Sequence, residues 1–195
     1  MSRISRKLSI AAITITFIGL IGIMSSASAL TITPNTTPVL FGNDNSNFSV
    51  AQIEAIVGYN GLALLYKQDV GKPGFPAPSP EGAFANSYIT TFNNTPYDPQ
   101  EAIINWVNSM PNITGPSIYL YLKDGNQVPA WYIFNLTILG WNGMALLQLE
   151  GFWPGQGAIS HVSIYGPTPV PEPTTLLLLG SGLVALCLVS RKFKR

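Results

Sequence analysis

Among the side chains able to do chemistry in this 195-residue chain, the acids come first. Glu81, Asp98, Glu101, Asp124 and Glu150 are scattered in sequence, yet any two that meet in space would supply the paired carboxylates of glycoside hydrolysis. The plainer reading is a solvated acidic surface. His161 is the only histidine, which rules out a multi-histidine metal site within one chain. As a general base it would need Ser160 or Ser163, which on a strand point away from it or lie along its own face; no G-x-S-x-G segment occurs. Asn43, Asn45, Asn47 and Glu54 stand at positions 1, 3, 5 and 12 of an EF-hand-like spacing. That loop requires Asp at position 1 and Gly at position 6, where this chain has Asn43 and Phe48. An Asn-rich turn before a short helix explains the same residues. No metal or cofactor is expected. Glycosylation-type sequons at Asn35, Asn47, Asn93, Asn112 and Asn135 read as turn chemistry. The strongest signal is aromatic. Trp131, Trp141 and Trp153, with Tyr119 and Tyr121, would stack on sugar rings if one strand face were open, and would be core if a loop or the helix at 50–57 covered it.

These residues must be positioned mainly by strands. Residues 117–123 alternate, with Ile118, Leu120 and Leu122 on one face and Tyr119, Tyr121 and Lys123 on the other. In residues 159–165, Ser160, Val162 and Ile164 oppose Ile159, His161, Ser163 and Tyr165. Further strands are expected at 62–68, 87–93, 103–107, 131–139 and 144–150. Asp124-Gly125 and Asn142-Gly143 read as two-residue hairpin turns, because both central positions of such a turn need positive φ. Residues 31–47 read as a surface lead-in or short edge strand. A helix follows, capped by Ser49, with Val50, Ile53, Ile56 and Val57 on one face and Tyr59-Asn60-Gly61 ending it. Residues 71–82 hold four prolines and three glycines and read as a loop outside any ladder. The pattern predicts an all-β domain, an antiparallel sandwich or jelly roll.

Both ends differ from this middle. Arg3, Arg6 and Lys7 precede an apolar run at 8–24, and Ala27 and Ala29 supply the small residues of a signal peptidase site. A signal peptide over 1–29, cleaved to leave Leu30 as the mature N-terminus, is expected. An apolar run at 174–190 is long enough for a marginal transmembrane helix, and Arg191, Lys192, Lys194 and Arg195 should hold its end in the cytoplasm. The exported domain, 30–169, then carries three lysines against eight acids, a net charge of −5 that gives no electrostatic case for nucleic acid. The single cysteine, Cys187, lies in the apolar run, so this domain has no disulfide to hold it together.

Val170-Pro171-Glu172-Pro173, the apolar stretch with Gly180-Ser181-Gly182 and the terminal basic cluster together resemble a PEP-CTERM sorting domain over 170–195. The resemblance implies recognition by an exosortase, a membrane-embedded cysteine protease-transpeptidase acting near Pro-Glu-Pro. It further implies a Gram-negative producer of extracellular polysaccharide. The segments at 124–132, 151–154 and 157–166 are similar to ectodomains found in front of this signal, which look like all-β sandwiches with no assigned activity. The expected protein is thus a non-catalytic envelope or matrix component that meets signal peptidase, exosortase, the membrane through 174–190, and extracellular polysaccharide. The alternatives are a glycan-binding module and, behind it, a glycan-active enzyme.

Overall fold

The computed structural model describes residues 29–72, 75–76, 78–93, 99–124, 127–155, 157–168 and 181. These form nine strands and one helix: β1 (Leu30–Ile32), β2 (Val39–Gly42), α1 (Val50–Val57), β3 (Leu62–Asp69), β4 (Tyr88–Asn93), β5 (Glu101–Trp106), β6 (Tyr119–Asp124), β7 (Trp131–Asn135), β8 (Leu147–Leu149) and β9 (Ile159–Pro167). Residues 1–28 of the expected signal peptide, with Ala27, the sorting motif, the span at 174–190 (Ser181 apart) and the basic tail lie outside the described residues. Among the described residues no helix is long and apolar enough to cross a membrane.

The strands form two sheets. One has the order β1-β8-β5-β4, and the other β2-β7-β6-β9-β3. All pairings are antiparallel except β1 with β8, where Leu30 to Ile32 run parallel to Leu147 to Leu149. One hydrophobic core draws from both sheets: Ile32, Ala102, Ile104, Leu147 and Leu149 from the first, Leu120, Leu122, Phe134, Val162 and Ile164 from the second. The alternation of β6 explains its place, since Leu120 and Leu122 enter this core while Tyr119 and Tyr121 enter a second one. That second core lies on the other face of the five-stranded sheet, where Ile53 of α1 is fully buried and Val50, Ile56 and Val57 are partly buried. Both faces of the sheet are therefore covered.

Helix α1 starts as expected, with the Ser49 backbone N–H donating to Gln52 Oε1 at 2.9 Å. It ends earlier than the Tyr59-Asn60-Gly61 stop: Gly58 adopts φ +70°, and its N–H reaches the Glu54 carbonyl at 2.9 Å.

Several expectations change. Of the two readings of residues 31–47 the short edge strand holds, since β1 and β2 are edge strands, and the surface lead-in gives way at Ile32, a fully buried core residue. The β6–β7 connection is longer than a two-residue Asp124-Gly125 turn: Lys123 pairs with Trp131, and the Asp124 N–H reaches the Ala130 carbonyl at 2.9 Å. Asn142-Gly143 does turn, with Gly143 at φ +80° and Asn142 Oδ1 accepting the N–H groups of Met144 and Ala145 at 3.0 and 2.7 Å. It joins β7 to β8 in different sheets, so it makes no hairpin. In β9 an irregularity in the pairing with β6 beside Lys123 and Asp124 shifts Ile159 onto the Val162 face, contrary to simple alternation. The 71–82 loop also touches a ladder, since Lys67 and Glu81 exchange both backbone hydrogen bonds at 2.9 Å.

Candidate functional site

The register of the four-stranded sheet brings two of the candidate acids together. Ala102 on β5 faces Leu149 on β8 at the end of that ladder, and Glu101 and Glu150 are the residues next to this last pair. The β1–β8 pairing also continues there, with the Glu150 N–H donating to the Ile32 carbonyl at 3.0 Å. Both glutamates line a cavity of about 630 Å³. Tyr132 from β7 and Trp153 from the loop after β8 supply aromatic wall, and Asn35 and Pro129 close it.

The aromatic wall is held firmly. Tyr132 packs against Phe152 and Trp153 at ring-centroid distances of 5.3 and 5.4 Å, and burial raises its phenol pKa. Trp153 has φ +51°, a left-handed conformation that a bulky side chain rarely adopts. Its indole N–H donates to the Pro129 carbonyl at 2.5 Å, tying the loop after β8 to the connection between β6 and β7. Asp124 fastens the same loops: Oδ1 accepts the Gln127 N–H at 2.9 Å and Oδ2 the Ala158 N–H at 2.6 Å. A Cβ at Gly157 would collide with Trp153 and Asp124, which explains the glycine there.

The carboxylates are less bound than the wall. Glu150 Oε1 accepts from Gln148 Nε2 at 2.5 Å, its neighbour on the same outer face. Glu101 has no hydrogen-bond or ion-pair partner among the described residues, and no lysine lines the cavity. The two acids line the same cavity, one from β5 and one from the residue after β8. Hydrolysis of a glycosidic bond needs carboxyl groups on either side of it. The other candidate acids go elsewhere: Glu81 lies near Lys67, Asp124 is engaged with backbone, and Asp98 is outside the described residues.

A second cavity, about 290 Å³, lies under the start of α1 and is lined by Lys67, Asp69 and His161 among others. Its charges satisfy one another. Lys67 Nζ is 2.9 Å from Asp69 Oδ2, and His161 Nδ1 is 3.9 Å from Asp69 Oδ1. Burial pushes the His161 imidazole down to about 4 despite the nearby carboxylate. Ser160 Oγ is also nearest to Nδ1, at 3.4 Å, but donates to the Lys123 carbonyl at 3.0 Å. A nucleophile–base–acid relay needs its serine and its carboxylate on opposite ring nitrogens, whereas here both approach Nδ1. Nearby, the buried Lys123 ammonium donates to Asn45 Oδ1 at 2.6 Å, and burial lowers its pKa.

That contact also disposes of the calcium-loop spacing. Asn45 is used by Lys123, Asp44 accepts the Ser46 N–H at 2.9 Å, and Glu54 Oε1 accepts the N–H groups of Gly61 and Leu62 at 2.6 and 2.8 Å. Among the described residues no group of three or more metal-type side chains comes together.

The three candidate tryptophans are not gathered into a stacking row. Trp131, Trp141 and Trp153 are 7, 9 and 6% exposed, because each face that carries one is covered. Trp131 sits edge-on to Phe48 beneath the lead-in to α1, and Trp141 packs on Tyr88 with its N–H on the Ala145 carbonyl at 2.6 Å. Trp153 borders the cavity at Glu101 and Glu150. The meeting of Glu101 and Glu150 at one cavity was hidden in the sequence, since nothing local marks β5 and β8 as neighbours.

The model of the PEP-CTERM protein-sorting motif matches residues 169–192. No curated protein and no solved structure matches the chain.

Proposed function

We propose, from the PEP-CTERM protein-sorting motif that this chain carries at residues 169–192, that it is an exported protein whose β domain an exosortase delivers to the cell envelope. The motif is the observation that carries this reading. Export begins with a signal peptide over 1–29, cut after Ala29; the span at 174–190 holds an inner-membrane intermediate with Arg191, Lys192, Lys194 and Arg195 inside. Processing near Val170-Pro171-Glu172-Pro173 then releases the domain to the surface or extracellular matrix of a Gram-negative cell, where it associates with extracellular polysaccharide.

The position of β1 supports the cleavage point. A cut after Ala29 leaves β1 whole, with the Leu30 N–H donating to the Leu146 carbonyl at 2.7 Å. The core shared by the two sheets supports reading the domain as a β-sandwich, although the parallel β1–β8 pair departs from a purely antiparallel jelly roll. The His161 geometry supports a non-catalytic role, since Ser160 and Asp69 both approach Nδ1.

Pro171 and Pro173 fix φ and donate no backbone hydrogen bonds, so Glu172 belongs to a stiff, extended segment suited to a membrane-embedded protease. Glu172→Ala is expected to leave export intact and to trap unprocessed protein in the inner membrane. Fractionation of wild type and variant, each tagged in the 71–82 loop, reads this out; identical size and location for the two would refute exosortase processing.

A further inference from the structure

The domain has two unlike ends. Strand register defines one of them: Leu30 pairs with Leu147, Leu62 with Pro167, and Tyr119 with both Asn135 and Tyr165. The loops at this end, 107–118 and 136–146, are tied together. The Ile118 N–H donates to Thr137 Oγ1 at 3.0 Å and Asn112 Nδ2 to the Asn142 carbonyl at 3.3 Å, while a Cβ on Gly115 would touch Pro167. Neither loop contains an Asp, Glu, Lys, Arg or His. Both expose apolar side chains instead, with Met110, Ile138 and Met144 at 37, 66 and 39%. The charges gather toward the opposite end. Asp69, Glu101 and Asp124 are the far-end residues of β3, β5 and β6, Glu150 follows β8, and Asp44 lies just beyond β2. Among the described acids, Glu54 alone reaches the uncharged end, where its carboxylate is taken by the Gly61 and Leu62 N–H groups.

We infer that this uncharged end, loops 107–118 and 136–146, is a surface that rests on the lipid bilayer while the tail anchors the chain. The exit of the chain chooses the occupant. β9 ends here at Pro167, and only residues 169–173 separate Thr168 from the apolar run at 174–190. Five residues reach about 17 Å at most, so an anchored tail holds this end against the membrane. β1 begins at the same end, and residues 25–29 alone separate Leu30 from the apolar run at 8–24. So short a tether puts the loops at an effective concentration of order millimolar to the lipid, at which a few apolar side chains suffice to dock. Charge placement agrees. The six residues of β6 span about 20 Å, more than twice the roughly 8 Å Debye length, so the charges at its far end escape both desolvation and repulsion by lipid phosphates. A second copy anchored in the same bilayer would stand beside the first and could not reach this end.

The inference rests on the reading of 174–190 as a membrane span, and its test separates the two. The full chain carrying Cys187→Ser is reconstituted into vesicles of phosphatidylethanolamine and phosphatidylglycerol. One fluorescent label is placed at a time, on Ile138→Cys, Met144→Cys or Val128→Cys, the last an exposed position in the β6–β7 connection at the charged end. Lipids with a headgroup nitroxide should quench the labels at 138 and 144 at least about threefold more than the label at 128. Ile138→Glu should bring quenching at 144 down to the level at 128, with the circular dichroism spectrum and sedimentation with vesicles unchanged. Undiminished quenching at 144 in that variant would show nearness without contact and overturn docking. A chain that sediments with the vesicles but is quenched equally at all three positions overturns docking and leaves the span standing. A chain left in the supernatant overturns the span and docking with it. Self-quenching at 138 that grows with protein density, without quenching by lipid, would give this end to a second copy and overturn the bilayer as its partner.

Discussion

The two faces of the β2-β7-β6-β9-β3 sheet are both buried, yet they are buried in different materials. The inner face is hydrocarbon and aromatic ring, locked against the β1-β8-β5-β4 sheet, with Leu120, Leu122, Phe134, Val162 and Ile164 all at or near zero exposure. The outer face, under α1 and its lead-in, mixes Tyr119, Tyr121 and Trp131 with His161, Lys123 and Ser163. Burial of apolar atoms stabilises at any pH, whereas burial of a titratable group ties stability to proton concentration. The inner face accounts for the strength of the domain, and the outer face for its sensitivity to conditions.

The largest expected effect tests the inner face. Leu122→Ala removes a fully buried side chain between the sheets and should cost about 4 kcal/mol, read by urea denaturation. A cost below about 1 kcal/mol would mean that the two sheets do not pack as tightly as their shared core implies.

The second prediction tests the outer face through His161. Its folded pKa of about 4 lies below the ordinary imidazole value of 6.5 because the ring is buried. As pH falls below 6.5 the unfolded chain takes up a proton that the folded one refuses until about 4. The stabilisation is therefore complete above pH 6.5 and is lost progressively down to pH 4, by about 3 kcal/mol in all. His161→Gln should abolish this slope. An unchanged slope in the variant would place the titrating group elsewhere.

The smallest effect concerns the cover over that face. Gly58→Ala puts a Cβ at φ +70° and should cost about 1 kcal/mol. If α1 folds as part of the outer face, the loss will appear in the global transition. Early melting of the helix signal alone would show that the cover is separable from the sheet.

Much of the strand pattern could be read from the residues themselves. Strict alternation in 117–123 gave the two faces of β6, and Ser49 with the Val50, Ile53, Ile56 and Val57 stripe gave α1. What covers each face could not be read this way, because Tyr119 and Tyr121 look alike whether they meet sugar, water or a helix. Asn142-Gly143 shows the same limit: its turn chemistry is local and correct, but the sheet entered by the next strand is decided by distant partners. Ile159 changed face because an irregularity in pairing shifts parity by one residue, and parity is all that alternation conveys. The meeting of Glu101 and Glu150 at one cavity depended on the pairing of β5 with β8, two strands with two others between them in sequence.

The position of β9 has a mechanical consequence for a domain that is held by its C-terminal end. β9 is interior to its sheet, hydrogen-bonded to β6 on one side and β3 on the other, and it runs to Pro167, two residues before the sorting motif begins. A pull on the tail is therefore applied along the axis of this nine-residue strand. Both ladders are loaded in shear, so their bonds must slide together instead of opening one after another. Tension from a tether would spread through the middle of the five-stranded sheet, and the short edge strand β1 would carry none of it directly.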